Sequence, residues 1–381
     1  MRQQSGDASL LRKLNSAAIL RVLREAEAAT LSELARAARV SRPTAEVIVD
    51  DLLAGGWAEE CVEDEAGDRQ RGRPAKRFRF RASVGHVAGV GIGRSGVRAM
   101  VADLNGGLVT TRRRLLPVDT PAPERVDAVA ELVATVAEEA GQAVPELLTV
   151  GVGTTGVVDG EGRVVKSVVL PDWTGVRLQE ELQARIPVPV VVENDMRLAV
   201  LAEHWRGAAQ GRSDVVYFFA ADRIGIGLLI GGRPHRGAHA ASGEIGRQPN
   251  QNWIAFRHVM DYAMSVEPGE LRSSRQSAEF AIARARAGDE RAAKAVREFA
   301  RGLAGGLITV VNPLDPELVV VGGSLSSAGD LLVEPIQEVL DEYCLYPPRV
   351  VASGLGNECI TLGAVRYALD HAERLLFTLP R

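Results

Sequence analysis

Cysteine is scarce in this chain of 381 residues. Its three thiols, Cys61, Cys344 and Cys359, lie far apart. They show neither metal-ligand spacing nor an even count, which argues against a disulfide framework and points to thiols kept reduced. Aromatic residues make up only 4% of the chain, so a core has to be built from Ala, Val, Leu and Ile. No apolar run approaches the ~20 residues of a membrane-spanning helix. The first residues, MRQQSGDASLLRKLNS, lack the apolar core of a signal peptide. The expected location is the cytoplasm. No low-complexity segment is seen, and no repeat of intermediate period.

What is present is the composition of a globular chain, 46% hydrophobic and 25% charged, long enough for two or three domains. The net charge of −4 is unevenly spread, with a slight basic excess in the first 82 residues and an acidic excess after them. Asn15 to Glu27 reads as a helix with Ile19, Leu20, Leu23 and Ala26 on one face. Thr30-Leu31-Ser32-Glu33 has the spacing of a capping box and opens a short second helix. Arg39-Val40 forms a turn, and Ser41 caps a third helix with Pro43 in its first turn, where a missing N–H costs little. Ala45, Ile48, Val49 and Leu52 form that helix's buried stripe, and Gly55-Gly56 ends it. This order is that of a helix-turn-helix.

Two alternating segments follow, Trp57 to Val62 and Lys76 to Phe80, with a polar stretch between them. They read as a β-wing, which makes the first ~80 residues a winged helix-turn-helix. Arg69, Arg71, Arg73, Lys76, Arg77, Arg79 and Arg81 crowd this wing. The segment Arg71-Gly72-Arg73-Pro74 suits an extended course in a narrow minor groove, although a solvated basic loop has the same composition. Beside a helix-turn-helix pattern, DNA is the favoured partner.

From Val84 onward strand patterns alternate with amphipathic helices, which predicts an α/β architecture. Gly89 to Gly107 reads as two antiparallel strands with a Gly-rich turn, closed by Asn105-Gly106-Gly107. Further strands are expected at 148–158, 164–170, 188–192, 215–220, 224–230 and 318–321. Helices are expected at 124–139, 178–185, 196–209, 277–309, 330–343 and 363–375.

Several motifs in order carry a family resemblance. They are Gly72-Arg73-Pro74, Val192-Glu193-Asn194-Asp195, Ala202-Glu203-His204-Trp205-Arg206-Gly207, Arg236-Gly237-Ala238-His239 through Gly243-Glu244-Ile245-Gly246, and Asn312-Pro313-Leu314-Asp315-Pro316 through Val321-Gly322-Gly323. Together they make the chain resemble the ROK family of bacterial sugar kinases and transcriptional repressors, over almost its whole length. The resemblance implies a two-lobed actin-like, hexokinase-type fold behind the winged helix-turn-helix. The implied units are a DNA-binding domain at 1–82, a small lobe at 83–192 completed by a C-terminal helix within 361–381, and a large lobe at 193–360.

The departures from the family pattern bear on chemistry. Family kinases use an Asp after Asn as general base on a sugar hydroxyl, and Asp195 stands there. Phosphoryl transfer also needs the phosphates to be positioned and their charge neutralised. The first hairpin of the kinases carries Asp-x-Gly-Gly-Thr/Ser, whereas this chain has Gly91 at the Asp position and a Gly93-Arg94-Ser95 turn. The second phosphate loop, usually Gly-Thr-Gly, reads Ala221-Asp222-Arg223. Gly322-Gly323-Ser324 is the one nucleotide-side element that keeps the family pattern. Arg247 replaces the zinc-binding His, and no Cys-x-Cys segment follows, so neither a metal nor a cofactor is expected.

A sugar pocket remains as the resemblance places it, with Asn194, Asp195 and Glu244 toward hydroxyls and Arg247 beside Glu244. Two readings of Arg247 stay open: a fork-shaped partner for a sugar phosphate, or an ion pair that closes a vestigial site. The functional expectation is a transcriptional regulator, a repressor without kinase activity, gated by a sugar or sugar phosphate in the interlobe cleft. Its partner would be double-stranded operator DNA, and a homodimer or homotetramer would present two heads. Ser41, Arg42, Thr44 and Glu46 at the start of the third helix are the candidate contacts in the major groove. Arg71, Arg73, Lys76 and Arg77 are candidates for phosphate or minor groove. The alternatives are a constitutive DNA-binding protein without ligand input and an ATP-dependent sugar kinase.

Overall fold

The computed structural model describes residues 4–61, 76–221, 223–245, 255–270 and 272–377. Helix α1 (Gln4–Glu25) leads through β1 (Ala29–Thr30) into α2 (Leu31–Ala37). The Thr30 capping box is formed: Thr30 N donates to Glu33 Oε2 at 2.7 Å, and Glu33 N donates to Thr30 Oγ1 at 3.3 Å. Arg39 takes the left-handed conformation, φ 56°, and turns the chain into α3 (Arg42–Ala54), capped by Ser41. Strands β2 (Ala58–Cys61) and β3 (Arg77–Phe80) pair antiparallel, and β1 adds to the other edge of β3. This is the winged helix-turn-helix arrangement.

The body follows as one topology written twice. Its first half runs β4 (His86–Gly93), β5 (Gly96–Asp103), β6 (Leu108–Leu115), α4 (Ala122–Glu139), β7 (Leu147–Thr154), the small ribbon β8 (Val157–Val158) with β9 (Val164–Lys166), α5 (Leu178–Gln183), β10 (Val190–Asn194) and α6 (Asp195–Arg206). Its second half runs β11 (Val215–Ala220), β12 (Ile224–Ile230), β13 (Arg233–Pro234), α7 (Phe256–Val266), α8 (Ser274–Arg286), α9 (Glu290–Leu314), β14 (Leu318–Gly322), α10 (Asp330–Tyr343), β15 (Arg349–Ala352) and α11 (Cys359–Phe377). The sheets are ordered β10-β7-β4-β5-β6 and β15-β14-β11-β12-β13. In each, three parallel strands are extended by two antiparallel ones. This is the two-lobed actin-like fold.

The last helix of each half packs on the other half's sheet. Helix α6 lies on β11 and β12, α11 lies on β4 and β7, and the two helices cross each other. The crossing depends on missing side chains. A Cβ at Gly363 would sit 1.9 Å from Leu198 O, one at Gly227 2.2 Å from Met196 O, and one at Gly151 2.2 Å from Ala364 O. The α4 side of the first sheet is filled by Val129, Val133, Val150, Val152 and Trp173, and the second sheet packs Phe218 against Phe299, Leu303 and Leu307.

The N-terminal unit shares a core with the body. Ile19, Leu23, Leu34, Ile48, Phe78 and Phe80 continue without a break into Val87, Met100, Val365, Leu369 and Ala372. Arg24 on α1 pairs with Glu373 on α11 at 2.7 Å. The head therefore rests on the C-terminal half of α11.

Three elements escape the sequence pattern. Strand β6 is exposed along nearly its whole length, so LVTTRRRL shows no alternation. Helix α7 buries Val259, Tyr262 and Ala263 in a segment notable in sequence for its missing zinc ligands. Strand β15 is a short strand of four residues at the sheet edge. The strand expected at 164–170 ends at Lys166, because Thr174 Oγ1 then accepts from Ser167 N at 3.0 Å and folds the chain into a loop.

Gly363→Ala is expected to lower unfolding stability by about 1–3 kcal/mol through overpacking against a backbone that cannot yield. Gly160→Ala, whose Cβ would meet nothing within 4 Å, should be neutral. Denaturant titration of both variants checks the contrast.

Candidate functional site

The parallel strands of both sheets point their C-terminal ends at a cleft of about 650 Å³ between the lobes, the usual position for ligands in open α/β sheets. The β4–β5 turn, the start of α6, the β11–β12 turn, Ser324 and the start of α11 line it.

Asn194 ends β10 and caps α6. Its Oδ1 accepts from Met196 N at 2.9 Å and Arg197 N at 3.1 Å, and its Nδ2 donates to Gly156 O at 2.8 Å. The side chain candidate for sugar hydroxyls thus already serves the helix N-terminus. Asp195 follows in the first turn, 2% exposed, with Oδ1 accepting from Met196 N at 2.9 Å. Its Oδ2 accepts from Arg223, the residue that precedes β12. Burial raises the Asp195 carboxyl above its ordinary range, against the lowering influence of Arg223 and the Met196 amide. The Arg223 guanidinium also stands 5.0 Å over the Phe219 ring.

A second ionic cluster fixes the surrounding loop. Glu193, buried at the end of β10, accepts from Arg197 Nε at 2.7 Å and Arg236 Nε at 2.9 Å. Arg197 also donates to Ala240 O at 2.9 Å and Val158 O at 3.2 Å. The loop from Arg236 to Glu244 is thereby clamped to the first lobe. Glu244 is exposed and does not line the cleft, and its carboxyl is raised by desolvation and by the charge of Asp195. Arg247 and Asp222 lie outside the described residues.

On the head, Arg42 and Glu46 are exposed on α3, together with Val47. Ser41 Oγ and Thr44 Oγ1 lie 2.6 Å apart, so both hydroxyls take part in the helix cap. Lys76 Nζ lies 2.8 Å from Glu60. Arg77 turns inward and donates to Ala28 O at 2.8 Å, tying β3 to the α1–β1 link. Arg71 and Arg73 lie outside the described residues.

Sequence reasoning assigned no role to Arg223, Arg197 or Arg236. The Glu193-to-Arg197 spacing of four across a strand–helix junction was the available signal. For Arg223 there was none, because the ion pair exists only once β12 has met α6.

Arg223→Gln leaves Asp195 buried without its counter-charge, which should cost about 1–3 kcal/mol. A carboxyl raised above its unfolded value binds protons better in the folded state, so its stabilisation is lost as pH rises. The variant should therefore be more destabilised at about pH 7 than at about pH 5, as read by urea titration.

The sequence profile of the ROK family matches residues 87–258 and 262–371. A xylose repressor of Caldicellulosiruptor bescii is 20% identical, covering 96% of this chain and 98% of its own length. A glucokinase of Streptomyces coelicolor is 28% identical, covering 75% of this chain and 98% of its own. Among solved structures, a ROK family transcriptional regulator, homolog of the E. coli MLC protein, superposes with a TM-score of 0.73 at 20% identity, over 96% of this chain and 98% of that one. A ROK family glucokinase from Streptomyces griseus, in complex with glucose and AMPPNP, gives 0.64 at 27% identity, over 75% of this chain and 100% of that one. The two-lobed fold, the Asn194-Asp195 junction and the profile match agree: this chain belongs to the ROK family.

Proposed function

We propose that the protein is a DNA-binding transcriptional regulator, a repressor gated by a sugar or sugar phosphate in the interlobe cleft, without kinase turnover. One observation carries this reading. The family profile begins at residue 87, after a complete three-helix, three-stranded head, and full-length relatives with such coverage are named repressors. The glucokinase match leaves a quarter of the chain without a counterpart.

Helix α3 would enter the major groove with Arg42 and Glu46 toward base edges, Arg suited to guanine and Glu to the cytosine amino group. Lys76, Arg71 and Arg73 would lie along phosphates. A cytoplasmic homodimer or homotetramer would set two heads on half-sites roughly 34–36 Å apart, or a multiple of that. Support for gating comes from α11. Cys359, Ile360 and Thr361 at its start line the cleft, whereas Val365, Leu369 and Ala372 belong to the core shared with the head. A ligand that changes the lobe angle would move the helix on which the head rests. Such couplings are typically ~1–3 kcal/mol and reciprocal, so operator DNA would weaken ligand binding equally.

Absence of kinase turnover is supported by Arg223, which holds the one residue placed as a base. The kinase reading draws on Asp195 itself and on the glucokinase relatives. ATP-dependent sugar phosphorylation that disappears in Asp195→Asn would establish it instead.

The test is fluorescence anisotropy of DNA from upstream of the gene, at two salt concentrations and with a panel of sugars and sugar phosphates. Selective binding released by one compound is the expected result. Arg42→Ala should weaken operator binding by about 1–3 kcal/mol and relax selectivity at one position. Sequence-blind, purely salt-dependent binding would overturn the assignment.

A further inference from the structure

We propose that Val47, with Pro43 beside it, forms an apolar strip on α3 that takes the C5 methyl of a thymine in the major groove. This deepens the reading of the protein as a DNA-binding regulator and rests on it. The exposed face of α3 is fixed by what the helix buries. Ala45, Ile48, Val49 and Leu52 are at most 8% exposed and belong to the core shared with α1, β3 and α11. The exposed residues of the first two turns are then Arg42, Pro43, Glu46 and Val47. Residues four apart on a helix stand one above the other. Arg42 and Glu46 therefore make one row, and Pro43 and Val47 the row next to it.

One row is charged and the other apolar. Ser41 Oγ and Thr44 Oγ1 lie 2.6 Å apart within the helix cap, and Thr44 is half-buried, so these hydroxyls add little to the face. Val47 is 53% exposed. A β-branched side chain in a helix keeps essentially one χ1 rotamer, so its methyl groups are held in place at small entropic cost. A strip of two side chains falls far short of the ~800 Å² per partner that a stable protein contact buries. It matches a single methyl group.

Charge sets the end by which α3 approaches DNA. Arg42 and the positive end of the helix dipole lie at its N-terminus. Asp50 and Asp51 are exposed on the later turns, where phosphates would repel them, and Asp51 is paired with Arg12 on α1. The first two turns are thus the part suited to the groove, and Val47 is the last exposed residue before the acidic ones. In B-DNA the thymine C5 methyl is presented in the major groove, where apolar side chains contact it. Arg42, Glu46 and Val47 would read guanine, cytosine and thymine from one face.

Duplexes that bind the full-length protein are enriched from a random pool. Each thymine of the selected site is then replaced by uracil, which removes the methyl and keeps every hydrogen-bonding group. In the wild type, uracil at one thymine of each half-site should weaken binding about fourfold by fluorescence anisotropy, the worth of one buried methyl-sized group. Val47→Ala should bind the thymine and uracil sites equally at that position. Glu46→Ala should keep the thymine preference and lose selectivity at a different base pair. Val168→Ala, at an exposed valine of the body, should change neither. A wild type indifferent to every uracil, or a thymine preference that survives in Val47→Ala, overturns the proposal. Loss of oligomeric mass in Val47→Ala by light scattering, with selectivity kept, assigns the strip to a protein contact and overturns it too. If no sequence is enriched, the regulator reading falls and this one with it, whereas enrichment without methyl dependence sinks the role of Val47 alone.

Discussion

The crossing of α6 and α11 is the constraint on which the rest of the molecule depends. Each helix terminates one half of the duplicated topology and packs on the sheet of the other, so neither lobe is complete by itself. The helices approach until Gly363 meets the backbone at Leu198, and each settles on its sheet over a glycine. A side chain at these points would force the helices apart. The same crossing places the start of α6, with Asp195, and the start of α11, with Thr361, at one cleft.

What the cleft can do follows from charge. Asp195 is buried at a helix N-terminus, where an anion is favoured, and the β11–β12 turn sends Arg223 across to it. The pair gives the buried carboxylate a cationic partner at the cleft. Gly91, where the kinases keep an Asp, faces α11 so closely that a Cβ would lie 2.8 Å from Thr361 Oγ1. A larger side chain at this position of β4 would require Thr361 to move. Meanwhile Glu193, Arg197 and Arg236 hold the loop that begins at Arg236 against the first lobe. The cleft thus combines a buried, arginine-paired carboxylate with a loop clamped by ionic contacts.

Helix α11 also explains how the three-helix, three-stranded head is attached. Its exposed half would otherwise present Leu369 and Ala372 to water, and the winged helix-turn-helix covers them with Ile19, Leu23 and Phe80. Arg24 and Glu373 add a specific pair at the edge of that contact. One helix therefore spans from the cleft to the head.

The sequence alone determined the elements with strong local signals. Thr30 with Glu33, Ser41 with Pro43, and the Val215–Ile230 hairpin form as their spacing requires, because caps and turns are settled by neighbouring residues. The motifs around Asn194, Asp195 and Gly322 were enough to place the family and the cleft. Strand β6 was illegible because an exposed edge strand has no alternating face. The duplication of the two halves was equally hidden, since it is a likeness of topology without a shared residue period. Tertiary structure alone decided the roles of the charged residues. Asn194 became a cap, Arg77 an internal tether and Arg223 the partner of Asp195, because an ion pair depends on which surfaces meet. Sequence sets which groups are available, and the crossing of α6 with α11 sets which of them face each other.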